Sequence, residues 1–256
     1  SAVNAGNSIL GLRTNRNATG MELLCAILGK APLFGLMTDE GRMAKWLIEV
    51  KTTKEPDWGT LGAAIGMKVT EDVPYIVGID KYFGGEVTNE NLHKLKAMGS
   101  STAANGAVGL YHVENVTPDA KEKGRELLAE GYQTYVYDDA EQARVLATFP
   151  VEEEGRPEDA TLCVIGCPHA TYHEILTWGR NVTEAVEKRG LKTAAIPTLL
   201  LCANVVRDHL VEEEPPRRPQ LEAVGGQIGA HQAFSGLQTR ELLRQEIGRA
   251  SCRERV

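Results

Sequence analysis

An α/β fold, built on a mostly parallel sheet with helices on both faces, is what this sequence of 256 residues predicts. Three observations carry the prediction. From Trp46 onward, short apolar runs alternate with helix-period segments, as in a parallel sheet with helical crossovers. Helix starts are marked chemically, by a T-x-x-E capping box at Thr171 and Glu174 and by Thr117 followed by Pro118. Thr161 to Ile165 is a short, β-branched apolar run, the pattern of a strand buried on both faces.

Each element follows from its own signals. Thr19 to Gly29 reads as a short helix, with Leu23, Leu24, Ile27 and Leu28 on one side and Gly29 as its stop. Trp46 to Val50 is a strand, Leu61 to Met67 a small-residue helix or turn, and Tyr75 to Ile79 a second strand before a Gly84-Gly85 loop. Thr88 to Met98 is expected to be helical with Thr88 as cap, and Ala107 to Val113 to be a strand. A helix from Thr117 to about Glu130 precedes a strand Gln133 to Tyr137 and a helix Asp139 to Thr148. Val151 to Asp159 is an acidic surface loop. Beyond Thr161 to Ile165 come a helix Thr171 to Arg189, a strand Ala194 to Leu201 and a helix from Asn204.

Composition narrows the function classes. A net charge of −7 and a pI near 5.5 give no reason to expect a nucleic-acid partner. No apolar run approaches the roughly 18 residues that a membrane span needs. Five cysteines, an odd number without framework spacing, fit a reducing compartment, and a cytoplasmic location is expected. There is no G-x-x-x-x-G-K-[ST], no G-x-G-x-x-G after a strand and no G-x-S-x-G, so nucleotide binding and serine hydrolysis have no positive support.

The chemistry-bearing residues sit in a few places. Cys167 follows the Thr161 to Ile165 strand and precedes the Thr171 helix, where open α/β sheets place ligands and a helix dipole favours a thiolate. A structural role for Cys167 stays open beside a ligand role. Cys163 would share its strand but stand about 13 Å away at roughly 3.3 Å per residue, so it reads as a core residue. Cys202 ends the next strand and would lie near Cys167 if the two strands are adjacent; Cys25 reads as helix packing. Arg13 and Arg16 flank Thr14 and Asn15 in a polar loop, a donor set suited to a carboxylate or phosphate and equally to plain solvent exposure. Asp39, Glu40 and Arg42 read as a surface ion pair or a site component. His112 and Glu114 are acid–base candidates at a strand end, or His112 is a satisfied structural histidine. His169 and His173 are four apart at a helix start, with no third zinc ligand evident.

Several segments together resemble the large subunit of the aconitase X family. They are Asn7-Ser8 with Gly11, Arg13-Thr14-Asn15-Arg16, Gly29 to Leu36, Asp39-Glu40-Gly41-Arg42, Gly106 to Pro118 and Gly166-Cys167-Pro168-His169. The resemblance spans roughly Ser1 to Cys202 and is specific as a set. It implies an aconitase-like three-layer architecture and a hydro-lyase that removes water from a small hydroxy acid, such as mevalonate 5-phosphate or cis-3-hydroxy-L-proline. It implies an iron–sulfur centre held by three cysteines, with Cys167 as the metal ligand matching the middle one. It also implies substrate contacts by Asn7, Ser8, Arg13, Thr14, Asn15 and Arg16, and a small, swivelling subunit, separate or fused, as partner.

The departures from the family pattern set further expectations. The first cluster cysteine and a substrate-contacting glutamate–serine pair would precede Ser1. Between Ala203 and Gln245 there is no third cysteine, and a downstream lysine of the substrate site is missing. The chain as given therefore reads as an internal fragment, truncated at both ends and unable to assemble the cluster or turn over. Residues 1–211 are expected to form a partial catalytic domain and 212–245 a linker with a poorly patterned continuation. Residues 246–256 resemble an adapter-derived scar. A non-catalytic α/β binding module, or a mononuclear hydrolase using His112, His169 and His173, are the alternatives.

Overall fold

The computed structural model describes residues 2–17, 19–149, 162–191, 194, 197–213 and 226–230, and at Thr19, Cys167, Pro168, Val211, Glu213 and 226–230 the backbone alone. The acidic loop 151–159, Thr161, most of 212–245 and all of 246–256 lie outside the described residues. The chain divides into two compact units, Ser1–Pro150 and Val151–Val256, a division that falls inside the range 1–211 read from sequence as one domain.

The first unit is built on a parallel sheet. Its strands are β1 (Ala44–Val50), β2 (Pro74–Val77), β3 (His112–Val113) and β4 (Leu128–Tyr137), in the order β3-β2-β1-β4. Ile48 stands opposite Ile76 on one side and Tyr135 on the other. Parallel neighbours need crossovers, and helices α3 (Trp58–Val69), α4 (Leu92–Gly106), α5 (Pro118–Lys123) and, after β4, α6 (Asp139–Leu146) flank the strands. Two more helices, α1 (Ala2–Ser8) and α2 (Thr19–Leu28), precede β1.

Side chains alternate across the pleat. Trp46, Ile48, Val50, Ile76 and Val113 join Leu61, Ile65, Leu95 and Met98 in the larger core. Leu47 and Tyr75 face a smaller cluster with Leu110, Ala120 and Leu127. Helix α3 starts on Asp57, whose Oδ1 accepts from Thr60 N at 2.7 Å. Its small residues let α4 come close: a Cβ on Gly62 would stand 2.3 Å from Met98 O, so this helix contact tolerates no side chain there.

Three expectations are corrected in this unit. The strand expected over 107–113 pairs only at His112 and Val113. Helix α4 runs on to Gly106 and ends in a left-handed Ala107. Side chains of α1 then take the backbone groups of 108–111: Asn4 Nδ2 donates to Val108 O, Asn7 Nδ2 donates to Gly109 O, and Ser8 Oγ accepts from Tyr111 N. Thr88 does not cap α4; it forms a turn with Asn91, donating its N–H to Asn91 Oδ1 at 2.7 Å. The helix expected to reach Glu130 stops at Lys123, since Gly124 takes φ +55° and Leu128 already pairs with Ala44 in the sheet.

The second unit holds a smaller parallel sheet, β5 (Cys163–Ala170), β6 (Thr198–Cys202) and β7 (Gly226–Ala230), in the order β5-β6-β7. Helices α7 (Tyr172–Lys188) and α8 (Asn204–Glu213) follow the first two strands. The capping box at Thr171 and Glu174 is formed in both directions. Ala170, Ile175, Leu200, Cys202 and Leu210 make a small core. The expectation of a strand buried on both faces is corrected. Among the described residues β5 lies at the end of its sheet, and Cys163 and Val164 are exposed. Strand β7 falls in the stretch where the sequence offered little core. It pairs through its backbone, which needs no side-chain pattern.

Candidate functional site

In the first unit the polar loop 11–17 is fastened from beneath. Arg42 is buried and has every arm of its guanidinium occupied. Nε meets Asp119 Oδ2 at 2.7 Å, Nη1 donates to Leu12 O and Leu36 O, and Nη2 donates to Asn7 O. Asn7 and Thr14 bond reciprocally: Thr14 N and Oγ1 donate to Asn7 Oδ1, and Asn7 Nδ2 donates to Thr14 O. Asn15 does the same for the turn at Gly35–Met37, donating to Phe34 O at 2.7 Å and accepting from Leu36 N at 2.8 Å. Arg13 reaches Met37 O and pairs with Asp39, whose carboxyl is held below its ordinary range by the Arg13 guanidinium first and Lys123 second.

Of the residues read as substrate contacts, Asn7, Ser8, Thr14 and Asn15 thus spend their polar atoms within the fold, and Arg13 is paired at the surface. Arg16 differs. It is exposed, makes no ion pair among the described residues, and lines a cleft of about 280 Å³ with Asn15, Asn17, Phe34, Glu71 and Gly109. The stem of Arg16 lies along Gly109, where a Cβ would stand 3.1 Å from its Cδ. A guanidinium held by its stem and open at its fork can take a carboxylate or phosphate bidentately.

His112 and Glu114 are not brought together as an acid–base pair. His112 is buried, its Nε2 lies 2.9 Å from Arg42 O, and burial pushes its pKa down. Neutral imidazole donating Nε2–H to that carbonyl satisfies the geometry. Glu114 instead accepts from Arg125 Nε at 2.8 Å. Nothing in the local sequence marked Arg42 as the buried hub, because an arginine between Gly41 and Met43 reads as surface. Nor did it mark Glu71 or Gly109 as cleft lining.

In the second unit the segment around Cys167 is a bulge. Ile165 pairs with Leu200 and Ala170 with Cys202, so residues 166–169 stand opposite Leu201 alone. Gly166 makes this turn at φ +137°, where a Cβ would lie 2.5 Å from Leu201 O. The bulge puts the Cys167 backbone at the carboxyl end of its strand, just ahead of α7; its side chain lies outside what is described. The strands carrying Cys167 and Cys202 are neighbours, but Cys202 is buried among Ile175, Leu200 and Leu210, and burial pushes its thiol pKa up. Cys163 lies at the far end of the strand. Among the described residues no group of three His, Cys, Asp or Glu side chains could hold a metal ion. Among the described side chains there is thus no set of three thiolates, and the Cys167 side chain lies outside them.

Taken together, the chain is a parallel α/β protein with helices flanking its sheets. Residues 44–146, the sheet of the first unit, match the model of the aconitase X second domain. The chain is 32% identical over 209 residues to the phosphomevalonate dehydratase large subunit of Thermococcus kodakarensis, covering 81% of this chain and 49% of that protein. It is 35% identical over 176 residues to the protein of the same name from Methanothermobacter thermautotrophicus, covering 68% and 40%. Against the cis-3-hydroxy-L-proline dehydratase of Pseudomonas aeruginosa it is 37% identical over 122 residues, covering 46% and 20%. The crystal structure of Thermococcus kodakaraensis aconitase X in its holo form superposes with a TM-score of 0.72 at 30% identity, covering 91% of this chain and 55% of that one. The chain belongs to the aconitase X family. It spans about half the length, or less, of the curated relatives it matches.

Proposed function

We propose that this chain is part of a dehydratase large subunit that removes water from a small hydroxy acid, with mevalonate 5-phosphate favoured as substrate over cis-3-hydroxy-L-proline. The observation that carries the reading is the exposed Arg16 fork over the cleft, in a chain whose longest matches bear the name phosphomevalonate dehydratase. Arg16 holds an anionic group of the substrate, and the Arg42, Asn7 and Asn15 bonds keep its loop from collapsing into the space the ligand needs.

Elimination of water needs a base for the proton and assistance for the departing hydroxyl. His112 is sealed beneath Arg42 O, so it is not placed to take the substrate's proton. An iron–sulfur centre belongs to the same reading. Cys167 is this chain's ligand to it, and the other thiolates come from elsewhere in the parent protein. A small subunit as partner, which the relatives' names imply, and a cytoplasmic location complete the proposal; no described helix is long and apolar enough to cross a membrane.

The test is product analysis. The complete reading frame containing this chain, combined with its small subunit, should release water from mevalonate 5-phosphate and leave an unsaturated acid. Turnover of cis-3-hydroxy-L-proline alone would reassign the substrate, and turnover of neither would end the proposal.

A further inference from the structure

Helix α2 carries Met21, Leu23, Leu24, Ile27 and Leu28 at 45%, 61%, 56%, 71% and 70% exposure. At about 100° per residue these side chains spread over roughly 160° of the helix circumference. That is wider than the roughly 100° stripe a surface helix lays against one neighbour. The chain continues the surface on both sides, with Leu10 and Leu12 before the helix and Leu33 and Phe34 after it, all exposed.

A helix of ten residues does not persist in water on propensity alone, so its stability has to come from packing. Whatever covers α2 must therefore wrap more than one side of it. Three occupants meet that demand poorly. Glu22 is the only charged residue of α2, and helices that lie on anionic membranes carry lysine or arginine. A two-fold contact sets one face against its equal and leaves the rest of so wide an arc wet. A separate subunit has to bury the surface after the large subunit has already folded with it exposed. Meanwhile the matched relatives hold as much chain again: this one covers 49% of the Thermococcus large subunit and 55% of the solved aconitase X chain.

We propose that α2 is a docking helix, enveloped by the portion of the aconitase X large subunit that this chain does not span. The inference rests on the reading of the chain as part of such a subunit, and on none of its chemistry.

Hydrogen exchange at the α2 amides tests it, in the 256-residue chain alone and in the complete large subunit, each with and without the small subunit. The chain alone should exchange α2 fast at every concentration. The complete subunit, without its partner, should slow that exchange by roughly 100-fold or more. Leu24→Glu combined with Ile27→Glu should restore fast exchange in the complete subunit and leave the thermal midpoint of the chain alone unchanged. Slow exchange in the chain alone would overturn the proposal in favour of a contact within the chain, or of a second copy if it grows with concentration. Slow exchange that needs the small subunit, or fast exchange in every sample, would overturn it as well. A complete subunit that protects α2 yet dehydrates neither hydroxy acid would refute the reaction and leave the docking helix standing.

Discussion

The α3–α4 layer over the first sheet and the α1 region around loop 11–17 are held in place by opposite chemistry. In the α3–α4 layer, Leu61, Ile65, Leu95 and Met98 press on Ile48 and Ile76, and Gly62 sets the spacing. Around α1 there is little apolar contact to do the same work; Asn4, Asn7, Ser8, Asn15 and Arg42 tie loop to loop through main-chain oxygens and amides. An apolar layer spreads its energy over many contacts, whereas the polar region concentrates it in a few groups, each costly to leave unpaired. The cleft beside Arg16 sits on the polar region, which fixes its loops at single atoms.

The polar region is most vulnerable at Arg42. Arg42→Met should leave Asp119 and three carbonyls without their donor and cost about 3–5 kcal/mol in denaturant unfolding. Arg42→Lys, which keeps the charge and loses the fork, should recover only part of that. On the apolar side, Gly62→Ala should cost about 1–3 kcal/mol by forcing α3 off α4, without disturbing the Arg16 cleft. Asn7→Ala should cost a similar amount, about 1–3 kcal/mol, and its effect should be non-additive with that of Arg42→Lys, because the two residues share one network.

A pH series sharpens the same contrast at lower amplitude. The pKa of His112 in the fold is depressed by burial below its ordinary 6.5, so the unfolded chain binds the extra proton first. Stability should be fully present above pH 6.5 and decline as pH falls from there toward the folded value. His112→Gln should flatten that decline. Asp39→Asn, which removes an exposed ion pair with Arg13, should leave the unfolding midpoint within error of the parent.

Much of the apolar framework was legible in the sequence, since periodicity and caps report directly on buried faces. The strands around Trp46 and Tyr75, the helix opened by Thr171 and the stop at Gly29 fall where their signals placed them, within a residue or a few. The polar region was not legible, for a physical reason. Val108 to Tyr111 is apolar enough to read as a strand, and nothing in those residues reveals that asparagine and serine side chains a hundred positions away satisfy their backbone. In the same way Thr14 and Asn15 read as ligand donors, and the resemblance implied the same for Asn7, because a polar group bonded to a main chain and one waiting for substrate look alike in sequence. The Cys167 bulge shows the limit from the other side. Cys167 was expected just past the Thr161 to Ile165 strand, but the three extra residues opposite Leu201 depend on strand register, which local sequence leaves open.

Arg16 is the group proposed to take the substrate's anion. The direct measurement is steady-state dehydration of mevalonate 5-phosphate by the complete subunit pair carrying Arg16→Ala. The expected result is a KM raised roughly 10- to 100-fold, the loss of a charge-assisted bond pair, with partial rescue by Arg16→Lys and an unchanged unfolding midpoint. Unchanged kinetics for Arg16→Ala would contradict the account.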